Sequence, residues 1–180
     1  MKELSLHILD IMQNSIRAKA TEIELIVNED INNNLLEIII KDNGKGMPKE
    51  LVDSVKNPFS TTRTTRKVGL GIPLLLEACQ RCGGDLELES KEGIGTNIKA
   101  SFEYNHIDRA PMGELVNTIT MIILSEPQIR YIFTYIVNNK KFTMDTKEIE
   151  EILEGVPIND LSIIKWLEDY LKENMEALKG

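Results

Sequence analysis

Apolar residues at Leu6, Leu9, Met12 and Ile16 recur at helical spacing and predict a helix over residues 4–18. His7, Asp10 and Asn14 lie three and four residues apart on the same stretch, so they share a second, polar stripe. Residues 21–28 and 35–41 read as a hairpin across the Asn32-Asn33-Asn34 loop. The run 35–40, with three consecutive isoleucines, reads as an extended, well-covered strand. Pro48 opens a short helix near 49–56. Val68-Gly69-Leu70-Gly71-Ile72 then runs into a helix carrying Leu74, Leu75, Ala78 and Cys82, which stops at Gly83-Gly84. Residues 85–90 and 97–104 alternate as paired strands. In the tail, 113–124 reads as a helix, and 131–137 with 140–144 as a hairpin around Asn138-Asn139, a pair that tolerates positive φ. A helix over 146–153 is capped by Thr146 or Asp145. Asp160 caps a last helix whose Ile164, Leu167, Leu171 and Leu178 form one apolar stripe.

At 180 residues the chain has room for one good-sized domain plus an appendage. A hydrophobic content of 42% beside 28% charged residues reads as soluble and globular. The net charge of −8 argues against a general nucleic-acid binder, which needs a basic face. Glu3 and Asp10 interrupt the first apolar residues, so no signal peptide is expected. No apolar run approaches the roughly 20 residues that span a bilayer. Two cysteines make no disulfide framework. A cytoplasmic protein without membrane attachment is expected. Cys79-x-x-Cys82 sits at the end of its helix, away from the helix start where the dipole lowers a thiol pKa, and reads as structural.

The candidate chemistry centres on Lys41-Asp42-Asn43-Gly44-Lys45-Gly46-Met47, directly after the isoleucine strand. An Asp at the floor of such a turn can accept hydrogen bonds from a ligand amino group, while glycines let a flat ring lie against bare backbone. Taken singly, Asp-x-Gly-x-Gly is also ordinary turn chemistry. Asp10 can orient or deprotonate a water or hydroxyl. Asn14 can hold a hard cation such as Mg²⁺ through its amide oxygen. The same polar stripe also fits a solvated helix face, and His7, without a partner cluster, reads as structural. Residues 57–67 carry Thr61, Thr62, Arg63, Arg66 and Lys67, with no acidic residue between Ser54 and Leu76. A basic island in an acidic chain attracts phosphates. Glycines at a helix start expose N–H groups to phosphate oxygens.

Asp10-x-x-x-Asn14, Asp42-x-Gly44-x-Gly46, Pro58-Phe59-Ser60-Thr61-Thr62, Gly69-Leu70-Gly71 and Gly93-Ile94-Gly95-Thr96 follow one another in fixed order. This set resembles the GHKL or Bergerat ATP-binding domain of gyrase-type ATPases, sensor histidine kinases and mismatch-repair ATPases, over about residues 1–105. The resemblance implies an α/β (α+β) two-layer sandwich, a mixed β-sheet covered by helices, with ATP between helices and lid. Asn14 would ligate Mg²⁺, and Asp42 would accept from the adenine amino group. Gly44 and Gly46 would let the backbone pass adenine and ribose, beside Met47. Gly69, Leu70 and Gly71 would lie along the phosphates, with lid residues Thr61, Thr62, Arg63, Arg66 and Lys67 around them. Thr96 would support the adenine site. Asp10 stands where relatives carry a Glu base, one methylene shorter.

The short lid is similar to that of sensor kinases and anti-sigma kinases. The helical dimerisation domain with its phosphorylated His is expected to be absent, so an acceptor is expected on another protein. The leading expectation is a regulatory kinase acting on a separate partner; a nucleotide-driven conformational switch and an ATPase are the alternatives. Residues 106–180 lie outside the resemblance. They read as a small α+β extension packed on the ATP domain, or as a partner-binding module anchored by Trp166 and Tyr170.

Overall fold

A computed structural model describes residues 2–56 and 71–180. Helix α1 (Leu4–Arg17) is followed by β1 (Glu22–Asp30), a 3-10 turn (Ile31–Asn33), β2 (Leu35–Asp42) and α2 (Lys49–Lys56). Then come α3 (Gly71–Arg81), β3 (Leu86–Lys91), β4 (Gly95–Glu103), α4 (Leu115–Ser125), β5 (Arg130–Val137), β6 (Lys140–Asp145), α5 (Thr146–Ile152) and α6 (Leu161–Ala177). The expected elements all occur within the described residues, with ends shifted by one or two positions. The expected loop segment at 57–67 lies outside the described residues.

The strands form one mixed six-stranded sheet in the order β3-β4-β2-β1-β5-β6. Every pairing is antiparallel except β1 with β5. The tail hairpin therefore extends the sheet begun by the N-terminal half. Its turn residues Asn138 and Asn139 hold φ of 46° and 72°, as their side chains allow.

Side chains alternate across the sheet. Ile23, Leu25 and Val27 of β1, Leu36, Ile38 and Ile40 of β2, and Tyr131, Phe133 and Tyr135 of β5 are buried together. The apolar stripes of α1, α3, α4 and α6 join that same cluster. Ile39 of the isoleucine run points the other way and is only half-buried, because strand period 2 turns every second residue to the opposite face. That face is open among the described residues, and polar pairs cross it. Asn28 donates to Glu37 at 3.2 Å, and Lys99 pairs with Glu37 at 3.1 Å.

Asp145 and Asp160 cap α5 and α6, accepting from the N–H groups of Lys147 and Ser162. Leu167 of α6 is fully buried in the shared cluster. Leu167→Ala is expected to cost about 2–5 kcal/mol. Urea unfolding followed by circular dichroism should show one transition moving as a whole, since the tail and the N-terminal half bury one core.

Candidate functional site

The site lies where the second half of α1 meets the end of β2. Ser15 is buried on the α1 face turned to the sheet and donates its hydroxyl to Asp42 Oδ2 at 2.6 Å. The Gly44 N–H donates to Asp42 Oδ1 at 2.9 Å. Two donors fix the carboxylate, and each oxygen retains a lone pair. Asn43 clips the turn to β1: its Oδ1 accepts from the N–H groups of Thr21 (2.8 Å) and Glu22 (3.0 Å), and its Nδ2 donates to Thr21 Oγ1 (2.8 Å). The Lys45 N–H donates to the Ala18 carbonyl at 2.8 Å, holding the glycine turn on the end of α1.

The β3–β4 turn closes the other side. The Met47 N–H donates to Ser90 Oγ at 2.9 Å, and Ser90 shares a hydrogen bond with Thr96 Oγ1 at 2.7 Å. The Gly93 N–H donates to the Lys45 carbonyl at 2.7 Å. Gly46 has φ of +70°, and a Cβ there would stand 2.0 Å from the Lys91 carbonyl oxygen. Two backbones touch at this point, and only glycine permits it.

These walls enclose a cavity of about 680 Å³. Ile11, Ile40, Met47, Leu51, Ile72 and Ile98 give it apolar sides. Asp42, Asn14, Arg17, Lys45 and Thr96 bring polar groups into it. Asn14 Oδ1 accepts from the Arg17 guanidinium, while its Nδ2 is buried and lacks a partner among the described residues. Gly71, the first residue of α3, packs against this corner: a Cβ there would stand 3.2 Å from Asp10 Cβ and 3.8 Å from Asn14 Nδ2. Asp10 is ion-paired with Lys2. Of the sequence candidates, Asn14, Asp42, Gly46, Met47 and Thr96 line the cavity. Asp10, Gly44 and Gly71 are not among its lining residues; Gly44 sits against Ala18. Thr61, Thr62, Arg63, Arg66, Lys67, Gly69 and Leu70 lie outside the described residues.

The polar stripe of α1 divides. His7 is buried and borders a separate cavity of about 190 Å³ beside Lys2 and Cys82. Burial, aided by the nearby Lys2 ammonium, holds its imidazole below the ordinary pKa against the opposing pull of Asp10. Cys79 is likewise buried, and burial pushes its thiol up to about 12, which keeps it protonated and unreactive. Among the described residues no cluster of His, Cys, Asp and Glu could hold a metal on its own. No helix among them is long and apolar enough to cross a membrane.

Residues 2–106 match the family described as Histidine kinase-, DNA gyrase B-, and HSP90-like ATPase. The chain is similar to sensor histidine kinase WalK of Bacillus subtilis, 39% identical over 83 residues, which are 43% of this chain and 13% of that protein. It is also similar to sensor histidine kinase YvrG of the same organism, 32% identical over 89 residues, 47% of this chain and 15% of that one. The chain thus spans about a seventh of these relatives. Among solved structures it shares its fold with the Aquifex aeolicus MutL ATPase domain complexed with ADP (TM-score 0.50, 15% identity, 86% of this chain and 70% of that one).

Gly46→Ala is expected to cost about 3 kcal/mol or more, since positive φ and a backbone clash coincide. Gly93→Ala, with φ of +78° but nothing within 4 Å, should cost only about 1–2 kcal/mol. Thermal melts of the two variants check the order.

Proposed function

The chain belongs to the histidine kinase-, DNA gyrase B- and HSP90-like ATPase family, and from that premise we propose that it binds ATP with Mg²⁺ and serves as a regulatory kinase for a separate protein. The observation that carries nucleotide binding is the Asp42 carboxylate, aimed into the cavity by Ser15 and the Gly44 N–H. An adenine amino group is a donor that matches its remaining lone pairs. Isoleucine and methionine side chains fit the faces of a flat ring, and the cavity volume falls in the usual range for such ligands. Thr96, held through Ser90, supports the same end. Gly44 and Gly46 shape the adenine turn.

Asn14 is the residue suited to Mg²⁺. Its amide oxygen is a hard ligand of the kind that ion prefers; it now accepts from the Arg17 guanidinium, which would swing away as the ion binds, and the buried Nδ2–H is free to donate to a phosphate oxygen. A single protein oxygen suits an ion that keeps waters and phosphate oxygens as its other ligands. Bound Mg-ATP would supply the γ-phosphoryl group and neutralise its charge. The cations of Arg63, Arg66 and Lys67, with Thr61, Thr62, Gly69, Leu70 and Gly71, complete the phosphate side in this reading. Asp10, next to Asn14 on α1, is the group to orient an acceptor hydroxyl and take its proton, once released from Lys2.

That ion pair also favours a second reading, a nucleotide-dependent switch or ATPase that binds a partner without phosphorylating it, because Lys2 occupies the carboxylate that an acceptor hydroxyl would have to reach. Residues 106–180 act in either case as an extension of the nucleotide domain, and we place the protein in the cytoplasm, away from nucleic acid and membrane.

Asp42→Asn is expected to weaken ATP binding by about 10–100-fold, the loss of a charged hydrogen bond, and Ser15→Ala by about 3–10-fold through a misplaced carboxylate. Calorimetry with Mg-ATP reads both. Normal affinity in Asp42→Asn overturns the site. Phosphate release measured beside Asp10→Asn and Asn14→Ala separates the readings: turnover lost in both variants assigns a self-contained ATPase, and tight binding without turnover leaves transfer or switching.

A further inference from the structure

β6 is the last strand on the tail side of the sheet. Its inner edge pairs with β5, and its outer edge meets no strand among the described residues. Helix α6 packs on α4 and β6 at this end and turns Ile164, Leu167 and Leu171 inward. Trp166 and Tyr170, one turn apart, lie on another stripe of that helix. Trp166 stacks on Tyr170, with ring centroids 5.0 Å apart and planes at 13°. Tyr170 in turn meets Phe142 of β6 edge-on, at 5.5 Å and 69°. A ladder of three rings thus runs from the helix surface down to the open strand. Its outer member, the single tryptophan of the chain, is 47% exposed. Unpaired backbone beside one exposed ring and two half-buried ones is a template for a further strand, and Trp and Tyr are the residue types that anchor interfaces.

The charges around this edge select its occupant. Lys140 and Lys141 at the start of β6 and Lys147 just beyond its end are exposed, in a chain of net charge −8. Two copies joined edge to edge and antiparallel would set Lys140 and Lys141 of each against the 143–145 end of the other, where the Asp145 carboxylate is already bonded to Arg130 and the Lys147 N–H, so the lysines would gain no free carboxylate. A segment bearing carboxylates meets the same lysines favourably.

We propose that an extended, acidic segment of a partner protein adds to β6 as a seventh strand, with an apolar side chain lodged against Phe142 beside the Tyr170 and Trp166 rings. Main-chain hydrogen bonds supply the affinity, and the aromatic ladder with its lysine flank supplies the selection. β5 and β1 separate this edge from β2 and its Asp42, so the proposal stands whether or not the nucleotide reading holds.

The probe is a fluorescein-labelled peptide alternating Glu and Val about a central Phe, titrated by anisotropy against the whole chain. Saturable binding that weakens with salt is expected, together with slowed amide exchange over residues 140–145. Lys140→Glu with Lys141→Glu should weaken binding by about tenfold or more, and Trp166→Ala by about fivefold or more, all three substitutions lying at exposed positions. A peptide of equal composition with its Glu and Val residues grouped should bind at least about fivefold more weakly, since strand addition needs alternation. Absence of binding, equal binding by the charge-reversed variant or equal binding of the grouped peptide overturns the proposal. Sedimentation showing a dimer that protects the same amides would assign the edge to a second copy and overturn it too.

Discussion

Asp42 is the point at which the nucleotide half of the molecule is joined. Its side chain ties β2 to α1 through Ser15 and to the following turn through the Gly44 N–H. Its backbone pairs opposite Ile23 of β1 and Thr96 of β4. Its carbonyl lies where a Cβ on Gly95 would stand 2.0 Å away. Hydrogen bonds to a charged group contribute about 1.5–3 kcal/mol each, so the carboxylate that faces the cavity also sets how α1 sits on the sheet. The side chain proposed to meet the adenine is thus also an architectural one, and the walls of the cavity inherit their positions from it.

Much of this was legible along the chain because the signals are local. Period 3.6 marked α1 and α6, period 2 marked the strands, and Asn138-Asn139 announced a turn through its tolerance of positive φ. The order of the motifs carried the family, although each motif alone was ordinary. Ser15, Asn43 and Ser90 were not singled out, because their roles are side-chain links to distant segments. A signal for Ser15 did exist: it lies four residues beyond Ile11, on the buried face of α1, where a hydroxyl needs a partner. The union of the tail with the sheet was illegible for a different reason. Glu22 of β1 stands opposite Arg130 of β5, 108 residues further on, and no local periodicity encodes which strand a hairpin will join.

Arg130 secures that union on the open face of the sheet. Its guanidinium donates to Asp145 of β6 at 3.0 Å through Nε and to Glu22 of β1 at 3.2 Å through Nη1, so one cation spans three adjacent strands. The Arg130 hydrogen bond, with the Lys147 N–H adding to it, holds the Asp145 carboxyl below the ordinary carboxylate range. A lowered carboxylate pKa stabilises the fold above the unfolded value and loses that contribution as pH falls toward the folded one. The strap linking tail to N-terminal half therefore slackens in acid, by an amount that solvent screening keeps modest because the guanidinium is partly exposed.

The parallel pairing of β1 with β5 has a consequence for the order of assembly. On the ribosome β1 and β2 emerge early and can form their hairpin at once, but the other edge of β1 has no partner until residues 130–137 have been made. Through that interval the nascent chain presents a bare strand flanked by Ile23, Leu25 and Val27, a surface suited to mispairing with another nascent chain. A contact between segments so far apart in sequence carries the loop-closure cost that local hairpins avoid, so β1 and β2 can pair before the sheet is extended by β5.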